Sequence, residues 1–296
     1  MRLLALRNIL VATELDDAAV PAIVAASRLA DAAGASLHLV CALPPPDDQH
    51  ARGAGSAEAT DALSAILRRA GAPAEEAQIH VPLGDPPSAI GSLADRLEAD
   101  VIVLGPHRAP HPNPGALGGT ALAVVTRAAC PCLVVSTSLR VPLQRVLVPI
   151  DLSDTARGAL LVGLSWASAL RAGPQEHAEL TSVALTVLHV QPPTRDGSPP
   201  PVPRALEREL QDLRQESGTW AGVSIDEHTM TSTDVTRAIV DFAAGNAPDL
   251  VVMGTRGLGL DREGRLGSVA ASAMRALDVP TLLVPPAVWL EHVRVS

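Results

Sequence analysis

The stretch Arg145-Val146-Leu147-Val148-Pro149-Ile150-Asp151-Leu152-Ser153-Asp154 decides the fold, because the chain contains it twice. Asn8-Ile9-Leu10-Val11-Ala12-Thr13-Glu14-Leu15-Asp16-Asp17 is the earlier version, at an offset of 137 residues. Two further anchors follow in the same order. Asp100-Val101-Ile102-Val103-Leu104-Gly105 matches Asp249-Leu250-Val251-Val252-Met253-Gly254, and Pro131-Cys132-Leu133-Val134-Val135 matches Pro280-Thr281-Leu282-Leu283-Val284, both at an offset of 149. The difference of 12 places an insertion between the first helix and the second strand of the later copy, within Ala172 to Leu185. The chain therefore reads as two copies of one unit, 1–138 and 143–290, joined near Ser136 to Gln144.

Inside each copy, short aliphatic runs alternate with longer alanine-rich stretches of helical period. That pattern belongs to β-α-β units and a parallel sheet buried on both faces. Strands are expected near Asn8 to Ala12, Ser36 to Cys41, Gln78 to Val81, Val101 to Leu104 and Cys132 to Val135, and again near Arg145 to Ile150, Ala184 to Val190, Val223 to Thr229, Asp249 to Met253 and Thr281 to Val284. Helix starts carry caps: Asp154 or Ser153 before Ala156, and Asp85 before Pro86-Pro87. Pro44-Pro45-Pro46 and Pro192 to Pro203 read as surface loops inside the repeat. Five parallel strands per copy make an open α/β sheet, whose ligand crevice lies past the carboxyl ends of the strands where their order reverses. The first and fourth strands flank that point.

Composition narrows the functions. Among 296 residues the aromatic share is 1%, supplied by Trp166, Trp220, Trp289 and Phe242, so the core is aliphatic. The net charge of −9 repels phosphate backbones and anionic lipid. With so few aromatic rings it excludes a base-stacking platform for single-stranded nucleic acid. No apolar run reaches the roughly 20 residues of a spanning helix. The apolar start Leu3 to Leu6 stops at Arg7 and Asn8 without a cleavage site, so a cytoplasmic protein is expected. Cys41, Cys130 and Cys132 are too few for a disulfide framework or a closed zinc site and read as reduced thiols.

After the fourth strand of the second copy comes Gly254-Thr255-Arg256-Gly257, then nine residues, then Gly267-Ser268 opening a helix at Val269. Glycines let backbone amides approach an anion, and a helix start offers N–H groups and a positive dipole end. Ser268 adds a hydroxyl, and Arg256, Arg262 and Arg265 bring positive charge. Asp151, ending the first strand, stands across the same crevice, where a carboxylate accepts hydrogen bonds from ribose hydroxyls or an adenine amino group. An isolated G-x-x-G is also what simply ends a strand and turns the chain.

With these residues in place, the chain is similar to tandem universal stress proteins over almost all of both halves. Gly254, Gly257, Gly267 and Ser268 match the G-2x-G-9x-G-(S/T) motif of that family's ATP-binding subclass. The resemblance implies two Rossmann-like domains, of the kind shared with adenine nucleotide alpha hydrolases, paired as a pseudo-dimer. It implies that Asp151 and the backbone of Pro149 and Ile150 contact adenosine, with Val190 near adenine and Met253 and Gly254 on the ribose side. Phosphates would sit on Arg256, Gly257, Gly267, Ser268 and Val269. The ligand implied is ATP, or AMP or ADP, with Mg2+ as a frequent companion whose protein ligands the sequence does not name.

The first copy departs from this pattern. Its loop reads Gly105-Pro106-His107-Arg108, nine residues, then Gly118-Gly119, and Glu14 replaces the aspartate. Arg108 blocks backbone approach or places its guanidinium on the phosphate position, and Pro106, Pro110, Pro112 and Pro114 remove amide donors. A degenerate first nucleotide site is expected. His107 and His111, four apart amid prolines, read as solvent-exposed rather than as a metal pair. G-x-x-x-x-G-K-(S/T), G-x-G-x-x-G after the first strand, and G-x-S-x-G are all missing, and no residue is poised to orient an attacking water, so binding is expected rather than catalysis. The last strand of each copy is an edge that needs covering, and in the similar family that edge pairs. The two copies are expected to pair there, with a homodimer as a further option and the protein partner unspecified. The favoured reading is a regulatory ATP-binding stress protein, against a nucleotide-independent interaction scaffold and, third, a slow ATP hydrolase.

Overall fold

A computed structural model of the chain describes residues 6–45, 49–72, 77–105, 118–171, 182–195, 198, 200–215, 220, 222–257 and 266–288. The first copy runs β1 Asn8–Ala12, α1 Val20–Ala33, β2 Ser36–Val40, α2 Gln49–Arg69, β3 Gln78–His80, α3 Pro86–Arg96, β4 Val101–Leu104, α4 Gly119–Arg127 and β5 Cys132–Val134. The second runs β6 Arg145–Ile150, α5 Asp154–Ala169, β7 Val183–Gln191, α6 Arg204–Gln215, β8 Val223–Thr231, α7 Val235–Asn246, β9 Leu250–Gly254, α8 Ser268–Ala276 and β10 Thr281–Val284. The fold is the expected α/β repeat, and the strand boundaries match the sequence reading closely. The largest differences are β7 and β8, which start or run on one or two residues further. The insertion expected within Ala172 to Leu185 falls largely on 172–181, outside the described residues.

All ten strands form one sheet in the order β3-β2-β1-β4-β5-β10-β9-β6-β7-β8. Every pairing within a copy is parallel, and the copies meet at an antiparallel pair, β5 with β10, in which Leu133 faces Leu282. β1 sits between β2 and β4, and β6 between β7 and β9, so the order reverses at the ends of β1 and β6.

Alternation along each strand builds two cores. Ile9 and Val11 turn to one face and pack with Ile23 and Leu29 of α1, while Leu10 and Ala12 turn to the other with Ile90 and Leu93 of α3. Trp166 of α5 and Trp220, each 2% exposed, are the two aromatic side chains of the main core, which is otherwise aliphatic. The joining segment belongs to the core as well. Leu139 and Leu143 are buried, Arg28 Nη1 donates to the Leu139 carbonyl at 3.0 Å, and the Leu143 N–H donates to the Leu170 carbonyl at 2.8 Å.

One device recurs in both copies. Asp100 Oδ2 accepts the N–H groups of Arg7 and Asn8 at 2.7 and 2.8 Å, and Asp249 Oδ2 accepts those of Gln144 and Arg145 at 2.8 and 2.9 Å. The aspartate before each fourth strand thereby clamps the start of the first strand. It fixes the two strands whose far ends frame the crevice.

Candidate nucleotide site

The second crevice begins at the end of β6. Asp151 Oδ1 accepts the Ser153 N–H at 3.0 Å, and Leu152 between them takes a left-handed backbone with φ +66°, a conformation that costs a non-glycine residue energy and clusters at functional sites. Ser153, not Asp154, caps α5, its Oγ accepting the Ala156 N–H at 3.2 Å. The neighbouring strand is pinned by His189, a buried ring whose Nδ1 donates to the Ile150 carbonyl at 2.9 Å. Donation to a carbonyl places that proton on Nδ1.

Three glycines hold the opposite wall, each for its own reason. A Cβ on Gly254 would lie 2.9 Å from Thr155 Cγ2 and 3.0 Å from the Thr155 carbonyl carbon, so β9 packs directly on the first turn of α5. A Cβ on Gly257 would collide with Asp151 Oδ2, which puts the carboxylate over the bare backbone of the loop. A Cβ on Gly267 would stand 3.3 Å from the Thr255 carbonyl oxygen.

Gly267 also corrects one expectation. Its N–H is not offered to a ligand: it donates to the Thr255 carbonyl at 2.8 Å and closes the loop onto the helix. The first intrahelical bond of α8 runs from Ala271 N–H to the Gly267 carbonyl, so the N–H groups of Ser268, Val269 and Ala270 precede it and form the positive end of the helix.

These walls enclose a cavity of about 330 Å³. All the sequence-predicted residues line it: Pro149, Ile150 and Asp151 from β6, Val190 from β7, Met253 and Gly254 from β9, then Arg256 and Gly257, and Gly267, Ser268 and Val269 at the start of α8. Arg262 and Arg265 lie outside the described residues. Sequence reasoning missed Ala156, Leu188, Val235, Ile239 and Ala270. The signal for two of them was in the repeat. Asp234 caps α7 as Asp85 caps α3, by accepting an N–H three residues on. Val235 and Ile239 therefore take the places of Pro86 and Ile90.

The first copy retains a cavity of about 440 Å³ at the matching place. Glu14 and Asp16 line it, and Gly105 packs loosely: a Cβ there would be 3.5 Å from the Ala18 carbonyl oxygen. Cys41, which follows β2 where His189 lies in β7, is pushed up to about 11 by burial and then by Glu14. Cys130 is pushed up to about 12 and Cys132 well above the ordinary thiol value, chiefly by burial, so both stay protonated and unreactive at neutral pH. The segment carrying Pro106, His107, Arg108, His111 and the following prolines lies outside the described residues. Among the described residues no three His, Cys, Asp or Glu side chains are grouped to hold a metal, and no helix is long and apolar enough to cross a membrane.

Comparison with known proteins gives the same picture twice over. A universal stress protein from Archaeoglobus fulgidus DSM 4304 superposes over 94% of this chain and 98% of its own, with a TM-score of 0.70 at 19% identity. A Pseudomonas aeruginosa UCBPP-PA14 protein covers 99% of this chain and 98% of its own, with a TM-score of 0.59 at 17% identity. At these identities the likeness is one of fold. A Thermus aquaticus protein described as "Universal stress protein in QAH/OAS sulfhydrylase 3'region" is 32% identical over 146 residues, which is 48% of this chain and 98% of that protein. The family model for universal stress proteins matches twice, over residues 5–136 and 142–285. On that double match, the chain belongs to the universal stress protein family as a tandem of two such units.

Proposed function

We propose that the protein is a regulatory adenine-nucleotide-binding stress protein that holds ATP, or AMP or ADP, in the cavity of its second unit. The observation that carries the reading is the coincidence of the motif with the cavity: Gly257 lies under the Asp151 carboxylate, and the free end of α8 faces the same hollow. The chemistry fits at both ends. Met253, Val190, Leu188 and Ile239 supply an apolar slot for a base, Asp151 an acceptor for sugar or amino hydrogens, and Ser268, Val269 and Arg256 donors for phosphate. With no metal-ligating group of protein side chains among the described residues, Mg2+ would travel on the phosphates.

Nucleotide occupancy would alter the surface around the cavity mouth, which a partner protein reads. The sequence carries none of the G-x-x-x-x-G-K-(S/T) or G-x-S-x-G signatures of hydrolytic sites, which favours binding over hydrolysis. The units are taken as 1–138 and 143–290, paired within one chain. Three free thiols, two of them buried, suit a reducing cytoplasm.

Isothermal titration with ATP, AMP and GTP tests the reading. One equivalent of adenine nucleotide is expected on the parent chain and none on Gly257→Val. Absence of binding on the parent would favour a nucleotide-independent scaffold. Steady ADP release that responds to Asp151→Ala would make the protein an enzyme.

A further inference from the structure

A third hollow, of about 310 Å³, lies where the two units meet. Its described lining comes from the end of α4 in the first unit, from the Thr255-Arg256 turn and Leu266 in the second, and from the segment after β10. Two arginines border it, Arg127 from one unit and Arg256 from the other. Arg256 borders the nucleotide cavity as well. The Gly267 N–H, bonded to the Thr255 carbonyl at 2.8 Å, makes this loop a partition, with Thr255 and Leu266 lining the joint hollow and Gly257 and Gly267 lining the nucleotide cavity. Neither arginine is repeated: at the offset of 149 stand Ala276 and His107. The pair therefore belongs to this joint alone.

Charge decides what such a space attracts. Two guanidinium groups bordering one hollow repel each other, and an anion between them replaces that repulsion with two attractions. The carboxyl end of α4 opposes with roughly half a negative charge, against two whole positive ones. Thr126 spends its hydroxyl proton on the Leu122 carbonyl at 2.7 Å. That leaves the guanidinium forks as the principal donors, and their parallel N–H groups fit phosphoryl oxygens two at a time.

We propose that the hollow between the units is a site for a phosphoryl group, clasped by Arg127 of the first unit and Arg256 of the second. The group is either the terminal phosphate of a nucleotide seated next door or a free phosphate, since both present the same oxygens. Only the first source rests on the nucleotide reading of the second cavity.

The test is titration of the full chain with AMP, ATP and pyrophosphate at fixed ionic strength, repeated on Arg127→Gln and Arg275→Gln. Arg127 is exposed at the end of α4, and Arg275 is exposed at the end of α8, outside the hollow's lining. Arg127→Gln should weaken ATP or pyrophosphate about tenfold, the loss expected of a charge-assisted contact, and leave AMP as in the parent. Loss confined to ATP identifies the nucleotide's own tail as the occupant, and loss of pyrophosphate identifies a free one. The proposal fails if Arg127→Gln alters neither, including the case in which the parent binds neither, or if Arg275→Gln weakens them equally. A parent that binds pyrophosphate but no adenine nucleotide overturns the nucleotide reading alone.

Discussion

Gly257 and Gly254 belong to one motif and do different work, which the spacing alone does not reveal. At Gly257 the obstacle to a side chain is the tip of Asp151, so Gly257→Val displaces a carboxylate rather than a backbone. ATP affinity should fall at least about tenfold, equivalent to roughly 1.4 kcal/mol, while urea unfolding stays near the parent. At Gly254 the obstacle is the Thr155 backbone. Gly254→Ala should destabilise the fold by about 1–3 kcal/mol, as overpacking does, and urea midpoints will show it. Sequence reading found both glycines because their type and spacing are unusual together. It did not find the left-handed Leu152 or the Gly267 to Thr255 bond, because backbone angles and closing hydrogen bonds leave no mark in residue type there.

Strands and helix starts were the most legible features, since aliphatic runs bounded by Asp, Ser and Gly state both their period and their ends. The pairing of Asp100 and Asp249 with distant N–H groups was visible only as a repeated letter. Asp249→Ala would leave the Gln144 and Arg145 N–H groups without their acceptor, at a cost of about 1–3 kcal/mol. The matching change at the less buried Asp100 should cost less, and paired denaturation curves of the two variants check the order.

On the edge of the first unit, His38 of β2 and His80 of β3 meet with Nδ1 and Nε2 3.2 Å apart. Burial lowers both imidazoles, His38 further through His80 and His80 through Arg96. The unfolded chain then takes up protons near the ordinary value of 6.5 that the fold resists, so stability is full above that pH and declines as pH falls below it. Melting curves between pH 7.5 and pH 5 should slope downward for the parent and more shallowly for His38→Leu.

The two units share more than a linker. Leu133 and Leu282 are fully buried at the β5–β10 pair, and Leu139 and Leu143 of the joining segment belong to the same core. A single cooperative heat-absorption peak is therefore expected for the full chain, and Leu282→Asp should split it into two. Sequence repeats announced the two units clearly. Repeats carry no vector, however, and how one unit meets the other is written in the hydrogen bonds of the joint.

Because β10 runs against β5, the carboxyl ends of the two sets of strands point in opposite directions. Each hollow thus opens on its own flank of the slab, back to back with its twin. A molecule seated in one hollow would leave the mouth of the other uncovered, so the slab offers two separate doors on opposite rims.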